Sequence, residues 1–300
     1  MSGPRHVVLV GPTASGKSSL ALAAAERHGL DIVSMDSMQV YRGMDIGTAK
    51  PTADERRRVR HHLLDVVDPV EAWTVADHQA RVLALLDAAD HPHLLVGGTG
   101  LYVRAVIDRL DLPGRFPAVL AELDEEPDAR RLHERLTELD PIAAARIEPD
   151  NRRRTVRALE VTIGSGRPFS SFGPGLEEHP PLPGFELLAL GPPRAVTDRR
   201  IADRYDRQME RGFLDEVRSL LPTMGRTAGQ ALGYRELAAH LRGEASLDDA
   251  LDEAVRRTRR FARRQERWFR RDPRWRWLPY DEDPVEVAGA VEAAVAASTA

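Results

Sequence analysis

The sequence contains no cysteine, and this absence excludes disulfide bonds and zinc sites built from thiolates. A chain without disulfides is typical of the cytoplasm, so we expect a cytoplasmic protein. No apolar run approaches the roughly 20 residues that a membrane-spanning helix needs, so we expect no membrane partner. The first apolar run, residues 7–10, is short and ends at Gly11, which is typical of a buried strand rather than a signal peptide.

Lysine is also scarce, since only Lys17 and Lys50 among the 43 basic residues are lysines. Such a skew is typical of a biased genome composition, so a single arginine carries little information in this chain. The two lysines carry more information about function, because a planar guanidinium does not replace a compact ammonium charge. The net charge of −4 does not indicate nucleic acid, but residues 256–276 contain eleven arginines and only two acidic residues.

Short apolar runs alternate with helical patterns in two parts of the chain. We predict strands at residues 6–11, 31–35, 94–96, 185–190 and 276–278. We predict helices in the same parts at residues 18–27, 75–86, 197–212, 214–221, 247–269 and 285–295. This alternation indicates the α/β class, with a parallel sheet flanked by helices.

Between these two parts, residues 117–164 show only helical periodicity, and a loop rich in Gly, Pro and Ser follows at 164–183. We therefore predict an inserted all-helical domain at 116–183. It would separate a first part of the core, 1–115, from a second part, 184–300, that ends in basic helices.

A phosphate-binding pattern, G-x-x-x-x-G-K-[ST], follows the first strand and opens the first helix, which indicates a P-loop-type core. Its residues are Gly11, Pro12, Thr13, Ala14, Ser15, Gly16, Lys17 and Ser18. The N–H groups of such a loop and the positive end of the helix bind phosphate oxygens. We expect Lys17 to reach the distal phosphate and the Ser18 hydroxyl to ligate Mg²⁺ as the cofactor.

The phosphate loop alone does not indicate nucleotide hydrolysis. Hydrolases of this class hold Mg²⁺ with a carboxylate at the end of a later strand. Here the strand at 94–96 ends in Gly97-Gly98-Thr99, with no carboxylate. Thr99 would offer a hydroxyl at the edge of the sheet where ligands bind, and a plain glycine turn is the alternative.

Asp36 follows the second strand, which a parallel sheet places beside the phosphate loop. Because a carboxylate repels phosphate, Asp36 would hold Mg²⁺ through water or accept a proton from a nucleophile. A turn or helix cap is the alternative. We expect Asp31, before the same strand, to be only a turn residue.

Several further segments have distinctive sequences. They are DSMQVY at 36–41, GMDIGTAKP at 43–51, HHLLD at 61–65, GGT at 97–99, RALE at 157–160 and GY at 233–234. Together with the phosphate loop, these segments resemble the bacterial tRNA dimethylallyltransferases. The matches run from residue 7 to about residue 268, and the segment 43–51 is long and specific to that family.

The resemblance implies that the loop holds the diphosphate of dimethylallyl diphosphate rather than ATP, and that Asp36 is the general base for the adenine N6 amine. Thr13, Lys17, Thr99 and Arg200 resemble catalytic residues that surround the diphosphate. The positions similar to tRNA-contacting residues are Asp36, Ser37, Met38, Gln39, Thr99, Arg153, Arg154, Arg157, Gly233 and Tyr234. The helical insertion resembles a mobile domain that grips the anticodon stem-loop.

The implied reaction transfers a dimethylallyl group to N6 of adenosine 37 in the anticodon loop of tRNA and releases diphosphate. We expect a monomer. The alternatives are an AMP prenyltransferase, a P-loop small-molecule kinase, and a nucleotide-gated RNA-binding module without chemistry. A nucleotide-sized acceptor would not need the helical insertion or the basic carboxyl-terminal helix.

Three features leave questions for the structure. Family members often have Asp-Pro-x-Val-Arg at the start of the insertion, and here Leu120 replaces the arginine that would contact tRNA. We do not expect His61 and His62 to bind a metal, because no further ligand has suitable spacing. Five arginines at helical spacing form a stripe that predicts either RNA phosphate binding or a solvated face: Arg256, Arg260, Arg263, Arg267 and Arg270.

Overall fold

The computed structural model describes residues 4–172, 179–180 and 182–299. Residues 173–178 and 181, which belong to the loop predicted at 164–183, lie outside the described residues. Contacts divide the chain into two compact units. We call Met1–Asp108 with Pro181–Ala300 the core unit, and Arg109–Pro180 the helical unit.

The core unit contains a sheet of six parallel strands. In chain order they are β1 (His6–Val10), β2 (Asp31–Ser34), β3 (His61–His62), β4 (His93–Gly97), β5 (Phe185–Gly191) and β6 (Arg276–Pro279). The spatial order is β3-β2-β4-β1-β5-β6, and every pairing is parallel. The predicted α/β class is therefore confirmed, although the sequence pattern does not predict β3.

Thirteen α-helices lie within the described residues. Four precede the helical unit: α1 (Lys17–His28), α2 (Ala53–Arg58), α3 (Val75–Asp87) and α4 (Gly100–Ile107). Four lie in it: α5 (Pro117–Asp124), α6 (Ala129–Leu139), α7 (Pro141–Ala144) and α8 (Arg152–Ser165). Five follow it: α9 (Arg194–Glu210), α10 (Phe213–Leu220), α11 (Tyr234–Leu241), α12 (Leu247–Arg270) and α13 (Ala288–Thr299). The sequence pattern does not predict α2, α4 or α11. Within the described ranges, every helix is too short or too polar to cross a bilayer.

The central strands are buried on both faces of the sheet. Val7 and Leu9 of β1 pack with apolar residues of α1 and α13, whereas Val8 and Val10 pack with those of α3, α4 and α12. All five residues of β1 are buried. A strand covered by helices on both faces needs apolar side chains at every position, so the sequence shows a continuous apolar run rather than alternation.

A second apolar cluster joins the helices after β5 to the segment that follows β2. Tyr41 and Met44 of this segment are fully buried, and they belong to one cluster with Phe213 and Tyr234. The cluster fixes the segment next to the carboxyl end of β2, where ligands bind in sheets of this kind.

The helical unit has its own apolar core, which is formed by residues of α5, α6, α7 and α8. The buried Glu160 carboxylate accepts the Phe116 N–H at 2.9 Å and thereby fixes the start of α5. Leu120 packs against this core. Leu120 therefore contributes apolar packing to the helical unit, where an arginine was expected from the resemblance.

Candidate active site

The phosphate loop joins β1 to α1 through a turn that uses the left-handed region. Ala14 and Gly16 have φ angles of 63° and 76°, and the first turn of α1 contains no acidic residue. Such a turn directs N–H groups into a concave surface, to which the helix dipole adds positive potential. The buried Ser15 hydroxyl has no hydrogen-bond partner among the described residues. An unpaired donor at this point fits a loop that binds an anion.

Lys17 lies at the start of α1 with its ammonium group over the loop. Its Nζ donates to the Pro12 carbonyl oxygen at 3.3 Å. Desolvation lowers the pKa of Lys17 to about 8, the negative charge of Asp36 opposes this shift, and the positive charge of Arg204 adds to it. The three charged groups therefore lie close enough to interact, and a bound diphosphate would stabilise the charged form of the lysine.

Arg204 of α9 reaches the inner side of the loop. Its Nη1 donates to Thr13 Oγ1 at 2.8 Å, while its buried Nε has no hydrogen-bond partner among the described residues. Burial lowers the pKa of Arg204, and the charges of Tyr205 and Asp36 oppose this effect. A buried guanidinium with an unused donor is suited to bind an anionic leaving group.

Arg200, one helical turn before Arg204, holds the loop backbone instead. Its Nη1 donates to the Tyr280 hydroxyl at 3.0 Å and lies 3.5 Å from the Ala14 carbonyl oxygen. The Tyr280 hydroxyl donates to the Ser15 carbonyl oxygen at 2.6 Å. The structure thus places Arg200 as a residue that positions the loop, whereas the sequence resemblance placed it around the diphosphate.

Gln265 of α12 connects two loops at the edge of the sheet. Its Oε1 accepts the Thr13 N–H at 2.8 Å, and its Nε2 donates to the Gly98 carbonyl oxygen at 2.9 Å. Gly98 has no room for a side chain here, because an added Cβ would lie 2.3 Å from Gln265 Nε2. Gln265 stands within a run of arginines and has no motif around it, so the sequence does not predict this role.

Asp36 and Thr99 follow the neighbouring strands β2 and β4. The Ser37 N–H donates to Thr99 Oγ1 at 3.3 Å, so the two loops touch. Asp36 Oδ1 accepts the Met38 N–H at 2.8 Å, and no described residue donates a hydrogen bond to Oδ2. The carboxylate therefore caps its own turn and keeps one oxygen for a ligand.

The segment 43–51, which has the most specific resemblance, is held by a partly buried carboxylate. Glu216 of α10 accepts the N–H groups of Asp45, Ile46 and Gly47 at 3.0, 2.7 and 3.1 Å. The Tyr234 hydroxyl donates to the same carboxylate. These residues are far apart in the chain, so sequence spacing does not show that they form one unit.

Lys50 closes the same segment from the other side. Its Nζ donates to Asp45 Oδ1 at 2.8 Å and to Asp65 Oδ1 at 2.6 Å, and its side chain is 1% exposed. Burial alone would raise the pKa of Asp65, but the hydrogen bonds from Lys50 and Arg56 hold this pKa below its ordinary value. The second lysine of the chain is therefore structural.

The residues expected to contact tRNA in the core unit divide into two groups. Asp36, Ser37, Met38 and Gln39 form a partly exposed turn beside the phosphate loop. Gly233 and Tyr234 are buried, and the Tyr234 ring packs on Phe213 at a centroid distance of 4.9 Å. Gly233 and Tyr234 therefore support the segment 43–51, and a direct contact of these two residues with tRNA stays a prediction from the resemblance.

The three arginines expected to contact tRNA in the helical unit lie on α8. Arg157 donates to Glu160 Oε2 at 2.8 Å and to the Pro113 carbonyl oxygen at 2.9 Å, so it is used within the unit. Arg153 and Arg154 are exposed in the first turn of the helix. Neither guanidinium pairs with a carboxylate in the part of the chain that the structure describes.

Four of the five arginines in the stripe on α12 form ion pairs with three nearby carboxylates. The ion pairs are Arg256–Glu253, Arg260–Glu253, Arg263–Asp198 and Arg270–Glu266. The Arg270 guanidinium also lies 4.2 Å from the centre of the Trp277 ring. These contacts favour a solvated face over a phosphate-binding surface.

Ser18 and Asp36 are the residues of this site that could hold a magnesium ion. The exposed Ser18 side chain lies in the first turn of α1, and Asp36 Oδ2 accepts no hydrogen bond from the described residues. Hydroxyl and carboxylate oxygens are ligands that Mg²⁺ uses together with water and substrate phosphates. Ser18 could bind the ion directly and Asp36 through water.

Known proteins with similar sequences cover nearly all of the chain. The family model described as IPP transferase matches residues 39–272. A tRNA dimethylallyltransferase of Thermobifida fusca is 50% identical over 289 residues, which cover 92% of this chain and 90% of that protein.

Solved structures agree with the fold. A tRNA isopentenylpyrophosphate transferase of Bacillus halodurans is 35% identical, covers 99% of this chain and 97% of its own, and has a TM-score of 0.71. A eukaryotic dimethylallyltransferase is 24% identical, with a TM-score of 0.79. The match covers 98% of this chain and 78% of that chain, and the two share the same fold.

Proposed function

The chain belongs to the IPP transferase family, and on that basis we infer that it is a transferase that places a dimethylallyl group on N6 of adenosine 37 in the anticodon loop of tRNA. We propose that the donor is dimethylallyl diphosphate and that diphosphate is released. One arrangement carries this proposal: the phosphate loop after β1, Thr99 after β4 and Asp36 after β2 lie at the carboxyl edge of one parallel sheet, where Thr99 Oγ1 accepts the Ser37 N–H. An anion-binding loop and a carboxylate for an amine therefore share one site.

The first requirement of the reaction is to stabilise the leaving diphosphate. An exocyclic adenine amine is a weak nucleophile, so the allylic carbon must become electrophilic as its bond to oxygen breaks. The N–H groups of the phosphate loop, the Lys17 ammonium and the unused Nε of Arg204 supply donors for the growing negative charge. Loss of one such donor typically raises a barrier by about 2.7–4 kcal/mol.

The second requirement is a base for the N6 proton. This proton becomes acidic only as the new carbon–nitrogen bond forms, so a carboxylate of ordinary basicity suffices. The Met38 N–H fixes Asp36 through Oδ1. The other oxygen, Oδ2, is then available to accept the proton.

Mg²⁺ bound through Ser18 would supply further positive charge for the diphosphate. We also propose that the helical unit binds the anticodon stem-loop, and that the chain works as a cytoplasmic monomer. The exposed Arg153 and Arg154 support the RNA-binding role. Sedimentation of the protein with and without tRNA tests the proposed monomer.

The proposed function is tested with the purified chain, dimethylallyl diphosphate, Mg²⁺ and unmodified tRNA with an A-rich anticodon loop. Mass spectrometry of the digested RNA should show one added dimethylallyl group on adenosine 37. Free AMP in place of tRNA should react poorly. Rapid turnover of AMP would favour the cytokinin-type activity, ATP-dependent phosphorylation would favour a kinase, and no transfer to any such tRNA would overturn the proposal.

A further inference from the structure

A group of histidines gathers at the opposite edge of the sheet from the phosphate loop. His62 of β3, His93 at the start of β4 and His91 two residues before it lie around Asp31, the first residue of β2. We call these four residues the histidine cluster. Asp31, His91 and His93 each offer a ligand atom, and the three atoms lie within 4.8 Å of one another. The reaction described above uses none of them.

The register of the sheet brings these residues together. Asp31 is the direct partner of His93 across β2 and β4, and His62 pairs with Val33, two residues along β2. Paired residues on neighbouring strands, and residues two apart on one strand, point to the same face. Because the ligands come from different strands, spacing along the sequence does not reveal them. From Asp31 to Asp36 the strand runs roughly 16 Å, so the cluster is separate from the active site.

The ring nitrogens of two histidines are already oriented for a metal. His91 Nδ1 lies 2.7 Å from Asp90 Oδ1, and His93 Nδ1 lies 3.1 Å from the His91 carbonyl oxygen. An Nδ1–H in each pair would donate to that oxygen and would leave the Nε2 lone pair for a ligand. Metal-binding histidines usually have such a carboxylate or carbonyl partner on the second nitrogen.

Two further contacts lie at the Asp31 carboxylate. His62 Nε2 lies 2.8 Å from Asp31 Oδ2 and orients the group. Arg60 Nε lies 4.0 Å from the same oxygen and is largely exposed. The His91 and His93 rings stack with their centroids 4.7 Å apart, so the two side chains lie next to each other.

We propose that Asp31, His91 and His93 form a binding site for a divalent transition metal ion, with His62 as the residue that positions Asp31. Two imidazoles and one carboxylate are a ligand set suited to Zn²⁺, whereas Mg²⁺ prefers oxygen ligands. A metal here would join β2 to the chain before β4 and would stabilise the sheet at this edge.

The test measures Zn²⁺ binding to the untagged full-length protein by competition with a chromophoric chelator. Millimolar Mg²⁺ is present throughout, so that oxygen-rich sites are occupied. We expect one Zn²⁺ per chain. His91→Ala removes an exposed ligand without disturbing the core, and it should weaken binding by more than about 100-fold. Asp90→Ala should weaken binding by about tenfold, because it loses only the partner of a ligand.

His61→Ala is the matched control, because His61 is the neighbour of His62 in β3 and bonds the Val59 carbonyl oxygen outside the cluster. It should bind Zn²⁺ like the wild-type chain. The melting temperature should rise with Zn²⁺ in the wild type and in His61→Ala but not in His91→Ala. Failure of the wild-type chain to bind Zn²⁺, or equal affinity in His91→Ala, would overturn the proposal.

Discussion

Gln265 accepts the backbone N–H of Thr13 at 2.8 Å, although 252 residues separate the two along the chain. The bond fixes the first turn of the phosphate loop against α12. Since the same amide donates to Gly98, the loops after β1 and β4 are held in one arrangement before any ligand binds. A preorganised set of donors needs no rearrangement during the reaction, which is the source of its catalytic effect.

Replacement of Gln265 by alanine should therefore impair use of the diphosphate. The change leaves the Thr13 N–H and the Gly98 carbonyl without partners, at a cost of about 1–3 kcal/mol for each buried group. We expect kcat/KM for dimethylallyl diphosphate to fall by about 10- to 100-fold, while the Kd for tRNA stays unchanged. Steady-state kinetics and filter binding measure the two quantities.

Arg256→Ala is the control for this change, since Arg256 lies on the same helix with an exposed side chain. It should leave both quantities close to their wild-type values. An unchanged KM for the diphosphate in Gln265→Ala would show that the bridge between the loops does not position the site.

Asp36→Asn should abolish transfer while tRNA binding survives. The amide keeps the size of the carboxylate and its oxygen can still accept the Met38 N–H, but it cannot take the N6 proton. General bases contribute about 10²- to 10⁴-fold, and we expect a loss of that size in the single-turnover rate. Equal loss of tRNA affinity would instead make Asp36 a structural residue.

Much of the fold could be predicted from the sequence because parallel strands covered on both faces are continuous apolar runs. β1 and β4 are of this kind, and each is buried at all five positions. β3 could not be predicted, because its two residues are histidines and its place depends on pairing with β2. α4 follows a glycine turn without a capping side chain, so no start signal marks it.

The residues of the site likewise divide into those that the sequence predicts and those that it does not. Lys17 and Asp36 could be predicted, since the phosphate-loop pattern and the end of a strand fix their positions. Arg204 and Arg200 share one helix face, and only the contacts of each guanidinium distinguish their roles. Glu216 meets the segment 43–51 through folding of distant parts of the chain, and no local pattern records such a contact.

Diphosphate affinity should decrease above pH 8. The pKa of Lys17 is lowered to about 8, so the free enzyme loses this positive charge as the pH rises through that value. The free energy of unfolding changes in the opposite direction. The unfolded chain keeps the Lys17 proton up to the ordinary pKa of 10.5, so the folded state becomes more stable as the pH rises from about 8 to 10.5. Binding of dimethylallyl diphosphate, measured calorimetrically from about pH 7 to about pH 9.5, should weaken up to about tenfold for each unit above the pKa.

Lys17→Arg is the control for this pH dependence. A guanidinium remains charged throughout the range, so the affinity of the variant, although lower because the fork does not fit the loop, should no longer change with pH. A pH profile shared by the two proteins would assign the titration to another group.

Lys50→Met should destabilise the core unit. The change leaves Asp45 and Asp65 without the buried ammonium that neutralises them. Removal of one partner from a fully buried ion pair typically costs about 3–5 kcal/mol; here water can hydrate Asp45 and Asp65, which are 55% and 31% exposed, and Arg56 still bonds Asp65, so the loss should be smaller than that. Urea unfolding of the variant and the wild-type chain measures the difference.

Arg42→Ala tests whether the burial of the Lys50 ammonium causes the loss of stability in Lys50→Met. Arg42 and Asp68 form an ion pair in which both side chains are more than half exposed. Such pairs contribute little, so this change should leave the free energy of unfolding close to the wild-type value. A loss as large as that of Lys50→Met would mean that exposure does not decide the effect.

The double change Arg153→Ala with Arg154→Ala should weaken tRNA binding without slowing the chemical step. The two exposed guanidinium groups have no carboxylate partner among the described residues, so they are available to phosphates. Each lost phosphate contact should reduce the slope of log affinity against log salt concentration by about one. Arg135→Ala is the matched control, because Arg135 of the same unit pairs with Glu122 at 3.2 Å. If the double variant keeps the wild-type salt slope, the first turn of α8 does not contact tRNA, and the RNA-binding surface of the helical unit must lie elsewhere.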